Sequence, residues 1–62
     1  MEVIYYMSEN GKMVGTIKEN HNGTWSMYRG FMNGVLHYCG DYASIHHAKY
    51  KMEKDGWKEI KK

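Results

Sequence analysis

Proline is absent from this 62-residue chain, and cysteine, arginine and phenylalanine occur once each. A single thiol, Cys39, rules out an intrachain disulfide framework. A lone cysteine of this kind fits a reducing compartment, and a cytoplasmic location is expected. Arg29 stands against eight lysines, which argues against sequence-specific DNA reading, where bidentate arginine is the usual tool. No apolar run approaches the ~18 residues a membrane span needs. The opening Met-Glu-Val-Ile-Tyr-Tyr-Met has no basic region and no long apolar core, so it does not read as a signal peptide. From Met1 to Lys61–Lys62 the chain reads as a small, complete reading frame.

Several chemistries lack their residues. There is no Cys-x-x-Cys pair, no His-x₃-His and no glycine-spaced phosphate loop opening a helix. The carboxylates are scattered over turns and the tail, without a conspicuous acid/base pair. His37, Cys39, His46 and His47 are the only candidate metal ligands. Adjacent histidines on a helix point about 100° apart, so the pair is ill placed for one tetrahedral ion. Cys39 with His37 also resembles a nucleophile and base, but 62 residues leave little room for a cleft and an orienting third group. A small buried thiol is the simpler expectation. No catalytic residue, metal or cofactor is therefore assigned, and the chain reads as a non-enzyme.

What the sequence does contain is aromatic and turn-rich. Nine aromatics and six methionines supply a core, which a chain this short needs because it buries only ~60% of its unfolded surface. Asn10–Gly11, Asn22–Gly23 and Asn33–Gly34 recur at intervals of 12 and 11 residues, each a strong signal for a primed two-residue hairpin turn. The runs between them are rich in β-branched and aromatic residues, so strands are expected over 2–8, 13–19, 24–32 and 35–39. Gly15 and Gly30 inside strands suggest bulges or bends. A helix follows over 45–55, with Ser44 as N-cap and Asp41 as the other candidate. Ile45, Ala48 and Met52 form its apolar face, Gly56 its left-handed stop, and Trp57 a residue packing back on Met52. A charged tail, 58–62, ends the chain. The expected fold class is thus α+β, one domain, with an antiparallel meander of three to four strands and one C-terminal helix packed on one face.

Face assignment points to function. Val3, Tyr5, Met7 and Val14 share one side of the first hairpin, and Ile4, Tyr6, Met13 and Ile17 the other. A two-residue turn at Asn33–Gly34 sets Phe31 against Leu36 and Arg29 against Tyr38. Both sides of the sheet are then partly apolar, whereas a sheet wetted on one side should alternate cleanly. One helix of about eleven residues is ~16 Å long and covers part of one face. The other face either curls on itself or meets a partner, and an interface, often a homodimer, is the favoured expectation.

Two surfaces stand out. His46, Tyr50 and Lys54 form an i, i+4, i+8 ridge on the outer helix face, where tyrosine suits an interface. Tyr28, His37 and Arg29, with Tyr5 or Tyr6, suggest an aromatic platform with basic flanks, the arrangement on which single strands stack. The order of four strands then a helix resembles small nucleic-acid-binding modules, including the transcriptional coactivator family that binds single strands as dimers. The likeness is one of element order alone and carries no residues across. The leading expectation is a phage or mobile-element type inhibitor or modulator of a larger nucleic-acid-handling protein, such as a host defence nuclease. Its binding residues would come from Tyr28, Arg29, His46, Tyr50 and Lys54. The alternative is a homodimer that binds single-stranded DNA or RNA through the sheet.

Overall fold

The computed structural model describes residues 2–61. Five strands and one helix follow in the order β1 (Val3–Met7), β2 (Met13–Glu19), β3 (Trp25–Phe31), β4 (His37–Tyr42), α1 (Ile45–Lys54) and β5 (Lys58–Glu59). All strand pairs are antiparallel, in the spatial order β4-β3-β2-β1-β5. The meander with a helix on one face is as expected, with two differences. The fourth strand lies at 37–42 rather than 35–39. The tail, expected to be only a charged extension, contributes β5, which pairs Glu59 with Tyr6 and Lys58 with Met7 on the free side of β1. Lys62 lies outside the described residues.

The asparagine–glycine pairs do make the turns, but not as two-residue loops. In the first, Gly11 N–H donates to Ser8 O at 2.9 Å, and Gly11 alone takes a left-handed φ of 73°. Asn10 keeps a negative φ because its side chain is otherwise engaged: Oδ1 accepts from Lys12 N–H at 2.9 Å and from Ser8 Oγ at 2.8 Å. The second turn repeats this. Gly23 N–H donates to Asn20 O, and Asn22 Oδ1 accepts from Thr24 N–H and Thr24 Oγ. Asparagine thus works through its carboxamide, as Asx turns do, and each connection spans five residues.

The third connection corrects a register. Here Asn33 carries the positive φ, 70°, and residues 32–36 form the loop. Arg29 pairs with His37 and Tyr28 with Tyr38, so Phe31 does not pair with Leu36 nor Arg29 with Tyr38. A one-residue slip exchanges faces, and Tyr38 moves to the side opposite the core. The alignment then shifts between Met27 and Tyr28, so that Cys39 is the bulged residue and Gly40 takes φ 119°. The bulge therefore falls at 39–40, not at Gly15 or Gly30. Cys39 is exposed rather than buried, its Sγ 3.3 Å from His37 O.

The core lies between the sheet and α1. Ile4, Tyr6, Ile17, Met27, Ala48, Met52 and Trp57 are buried, with Met13, Trp25, Tyr42 and Ile45 packed at the margin. Cross-strand pairing aligns Ile4, Ile17 and Met27 in one row. Full burial of each large apolar side chain stabilises by roughly 1.5–3 kcal/mol. The next row holds Tyr6, Gly15 and Arg29. A Cβ at Gly15 would overlap the Met52 methyl and come within 3.2 Å of the Trp57 ring and of Tyr28 O. The glycine is the seat on which the helix rests, not a bend.

The helix ends are set by their residues. Ser44 Oγ accepts from His47 N–H at 3.3 Å as N-cap. At the other end Gly56 (φ 87°) donates to Glu53 O and Trp57 N–H donates to Met52 O, both at 3.0 Å. These are the two bonds of a Schellman close, which turns Trp57 back onto Met52. Lys54 is the last helical residue and Asp55 the cap.

Candidate functional site on the open sheet face

Side chains alternate across a strand, so those between the core rows project from the face that α1 does not cover. Three cross-strand rows occupy it. The middle row runs Tyr38, Tyr28, Thr16, Tyr5 from β4 to β1. Ile60 continues it, its N–H donating to Tyr5 O at 2.7 Å. On one side lies the row Asp41, Ser26, Lys18, Val3. On the other lie Gly30, Val14 and Met7, with Lys58 beyond.

Tyr38 and Tyr5 are exposed but held, and Tyr28 between them is half-buried. Tyr38 is 60% and Tyr5 46% accessible, whereas Thr16 between Tyr28 and Tyr5 is buried. Tyr28 and Tyr38 meet edge to face, ring centroids 5.7 Å apart at 61°, a favourable aromatic geometry. The Tyr38 hydroxyl is pushed above its ordinary pKa, chiefly by hydrogen bonding to the Asp41 carboxylate. Asp41 also accepts from Ser26 Oγ at 2.6 Å, and Ser26 Oγ accepts from Asn20 Nδ2 at 2.8 Å. A hydrogen-bonded strip thus fixes one margin of the face. The opposite margin is aliphatic. A Cβ at Gly30 would overlap the Val35 carbonyl oxygen, so the 32–36 loop folds against the open side of β3. There it presents exposed Met32, Val35 and Leu36. Phe31 beside them is also exposed.

Charge is sorted between the two sides. Of the seven carboxylates, only Asp41 projects from the open face by strand pairing. Glu2, Glu19 and Glu59 alternate to the core side, and Glu53 and Asp55 belong to the helix and its cap. Glu9, in the first turn, extends toward Gly56.

The residues singled out from sequence are divided by this geometry. Tyr28 and Tyr5 lie on the open face, as the platform required. Arg29, His37 and Tyr6 fall in the alternate row and do not join them. Arg29 is a clamp: Nη2 lies 2.9 Å from Asp55 Oδ2, and the guanidinium sits over the Trp57 ring, 5.1 Å from its centroid. It ties β3 to the helix cap and holds the Asp55 carboxyl below its ordinary pKa. His46, Tyr50 and Lys54 form the expected exposed ridge on α1, with Tyr50 at 64% accessible. Tyr38 was missed because the assumed turn length put it on the core side, beside Arg29. The first two turns of the structure have the same five-residue length, which the spacing in the sequence does not give.

His37, Cys39, His46 and His47 do not converge. Among the described residues no group of three or more His, Cys, Asp or Glu side chains is placed to hold a metal ion. A shallow groove of about 220 Å³ is lined by Glu2–Tyr5, Glu59 and Ile60 at the β1–β5 margin. Among the described residues no helix is long and apolar enough to cross a membrane.

The fold and its uncovered face define a small antiparallel sheet with one helix behind it and a tyrosine row in front. No protein-family model matches the chain, and neither does any curated protein or solved structure.

Proposed function

We propose that this is a non-catalytic binding protein that works by laying its open tyrosine face on a larger protein. The observation that carries this reading is the row Tyr38–Tyr28–Thr16–Tyr5 on the face that α1 does not cover, exposed at Tyr38 and Tyr5 and continuous with the exposed apolar loop at 32–36. Tyrosine with aliphatic neighbours and few charges is the composition of interface centres. A patch of this extent on a small domain marks a contact surface. The target class carried forward is a nucleic-acid-handling protein, inhibited by occlusion, as expected of a phage or mobile-element product. A surface shaped to grip unstacked bases offers stacking and hydrogen-bonding groups, and tyrosine rings satisfy both. The single exposed thiol suits a cytoplasmic setting.

A second reading, single-stranded DNA or RNA on the same face, draws support from the charge sorting. Lys18 and Lys58 flank the tyrosines, and the only carboxylate there is already hydrogen-bonded. One experiment separates the two: a photo-crosslinking residue at position 38, with position 50 on the helix ridge as reference. The expected result is an adduct with a larger protein from position 38, unaffected by nuclease and by salt. Excess wild-type chain should compete it, and a Tyr5→Ala/Tyr38→Ala chain should not. Nuclease-sensitive adducts that vanish with rising salt, as counterion release demands, establish the second reading instead. Adducts from position 50 alone move the docking surface to His46, Tyr50 and Lys54.

A further inference from the structure

The middle row of the open face reads large, large, small, large from β4 to β1: Tyr38, Tyr28, Thr16, Tyr5. Read backwards it is large, small, large, large. Superposed, the two orders place a ring opposite the small residue at both inner positions, where Thr16 lies buried between its larger neighbours. A two-fold axis parallel to the strands, passing between β2 and β3, produces this superposition. It seats each Tyr28 over the partner copy's Thr16 and sets Tyr38 against the partner copy's Tyr5. The same axis maps each margin onto itself, with Lys18 over the partner copy's Ser26 and Asp41 over the partner copy's Val3 on one side, and aliphatic on aliphatic on the other. A two-fold perpendicular to the strands would set the aliphatic margin against the Asp41–Ser26–Lys18 strip.

The charges obey the same symmetry. Lys18 makes no ion pair among the described residues, although Arg29, Lys49 and Lys51 do. Within one copy it is separated from Asp41 by β3, about 10 Å at the usual strand spacing. Across the proposed axis Lys18 lies over the partner copy's Ser26. That hydroxyl is bonded to Asp41, one strand spacing or about 4.8 Å to the side. A lysine side chain spans that offset. The contact is made twice, as an isologous interface requires.

We infer that the open face pairs with a second copy of this chain, sheet on sheet, with Tyr28 over the partner's Thr16 and Lys18 on the partner's Asp41. This rests on the reading of the open face as a docking surface and names its occupant when the protein is alone. The overlap of four strands at about 4.8 Å, each about six residues of 3.3 Å, gives a footprint of roughly 19 by 20 Å. That is about half of the roughly 800 Å² per partner that a stable interface buries, and falls in the range of weak, transient contacts. The association is therefore reversible, and a target that binds the face more tightly displaces the second copy.

The test is the solution mass of the purified, nuclease-treated chain by light scattering over a concentration series. Far-UV circular dichroism on every sample verifies folding. Wild type should rise from 7.3 kDa toward twice that value. Lys18→Glu sets Glu against Asp41 at both contacts, and Asp41→Lys sets Lys against Lys18 at both. Each variant alone should dissociate at least tenfold more readily. Mixed in equal amounts, they satisfy both contacts in a heterodimer, and the mass should rise again. Thr16→Tyr, which sets a ring against the partner copy's Tyr28, should remain monomeric. A wild type that stays monomeric overturns the inference, as does a folded pair of charge variants that fails to associate on mixing. A dimer indifferent to these substitutions, as edge-to-edge pairing through β4 would be, also overturns it. In none of these cases is the protein-docking reading decided, because that rests on the adduct formed at position 38.

Discussion

Replacing Gly15 by alanine tests the packing of the helix on the sheet with one methyl group. Its backbone is in ordinary extended geometry, so loss of glycine's freedom in the unfolded chain should by itself stabilise by about 0.4–1 kcal/mol. Against this, the new methyl overlaps the Met52 terminal methyl and stands 3.2 Å from both the Trp57 ring and Tyr28 O. The Met52 side chain can move, but it is fully buried, and the carbonyl belongs to the sheet. Overpacking of this kind costs about 1–3 kcal/mol, so a net destabilisation of about 1–2 kcal/mol is expected. For a domain of this size each kcal/mol is a fall of about 4–8 °C in Tm. Met52→Ala and Trp57→Ala alone should each cost ~2–5 kcal/mol. The informative variant is Gly15→Ala with Met52→Ala, because removing the Met52 methyl removes the clash. The double variant should be more stable than the sum of the singles by at least 0.5 kcal/mol. Urea denaturation followed by tryptophan fluorescence measures all four proteins. If Gly15→Ala is as stable as wild type, or the effects simply add, the helix does not sit on Gly15.

Four further outcomes are expected. The buried Tyr6 hydroxyl has no hydrogen-bond partner among the described residues, so Tyr6→Phe should leave stability unchanged or raise it by up to about 1 kcal/mol; a clear loss in a thermal melt would refute this. Burial first, then Glu59 and Glu53, pushes the Tyr6 pKa up to about 12. The folded state therefore holds that proton more tightly than the unfolded chain. Stability from this group is intact below pH 10 and is lost as pH rises through 12, which ultraviolet titration of tyrosinate against unfolding will show. Asp55 has the opposite sign. Its carboxyl is held low chiefly by Arg29, so its contribution is present above the ordinary aspartate range and fades as pH falls through the lowered value. Asp55→Asn should flatten that acid limb, and an unchanged limb would count against the clamp. Tyr50→Ala, on an exposed position, should change stability by no more than about 0.5 kcal/mol in a thermal melt; a large drop would show that the ridge faces inward.

Much of this fold is legible because its signals are local. Ser44, Gly56 and Trp57 announce the helix ends through capping chemistry that needs no distant partner, and Ile45, Ala48 and Met52 mark its inner face by spacing alone. The alternation of Ile4 and Tyr6 against Tyr5 assigns β1 correctly for the same reason. What was not legible depends on competition between a side chain and the backbone. Asn10 and Asn22 use their carboxamides to hold Lys12 and Thr24, which lengthens the turns. At Asn33 the longer loop moves the register by one residue and exchanges the faces of β4. That single step hid Tyr38 and gave Arg29 a surface role in place of its clamp. β5 was invisible because its two residues owe their strand conformation to β1, not to their own propensity.

The pairing of β5 with β1 brings the two ends of the described chain together, since Tyr6 meets Glu59 across almost the whole sequence. Every other strand pair joins neighbours through a five-residue connection, so the meander can zip in order as it forms. The β1 edge instead waits for the helix to dock and for the last residues to arrive, the longest loop closure in the molecule and the one with the largest entropic cost. A circular permutant that links these ends and opens at Asn33–Gly34 would turn this closure into a local hairpin while leaving the tyrosine row in place. The termini that now finish the sheet would then become the point from which it starts.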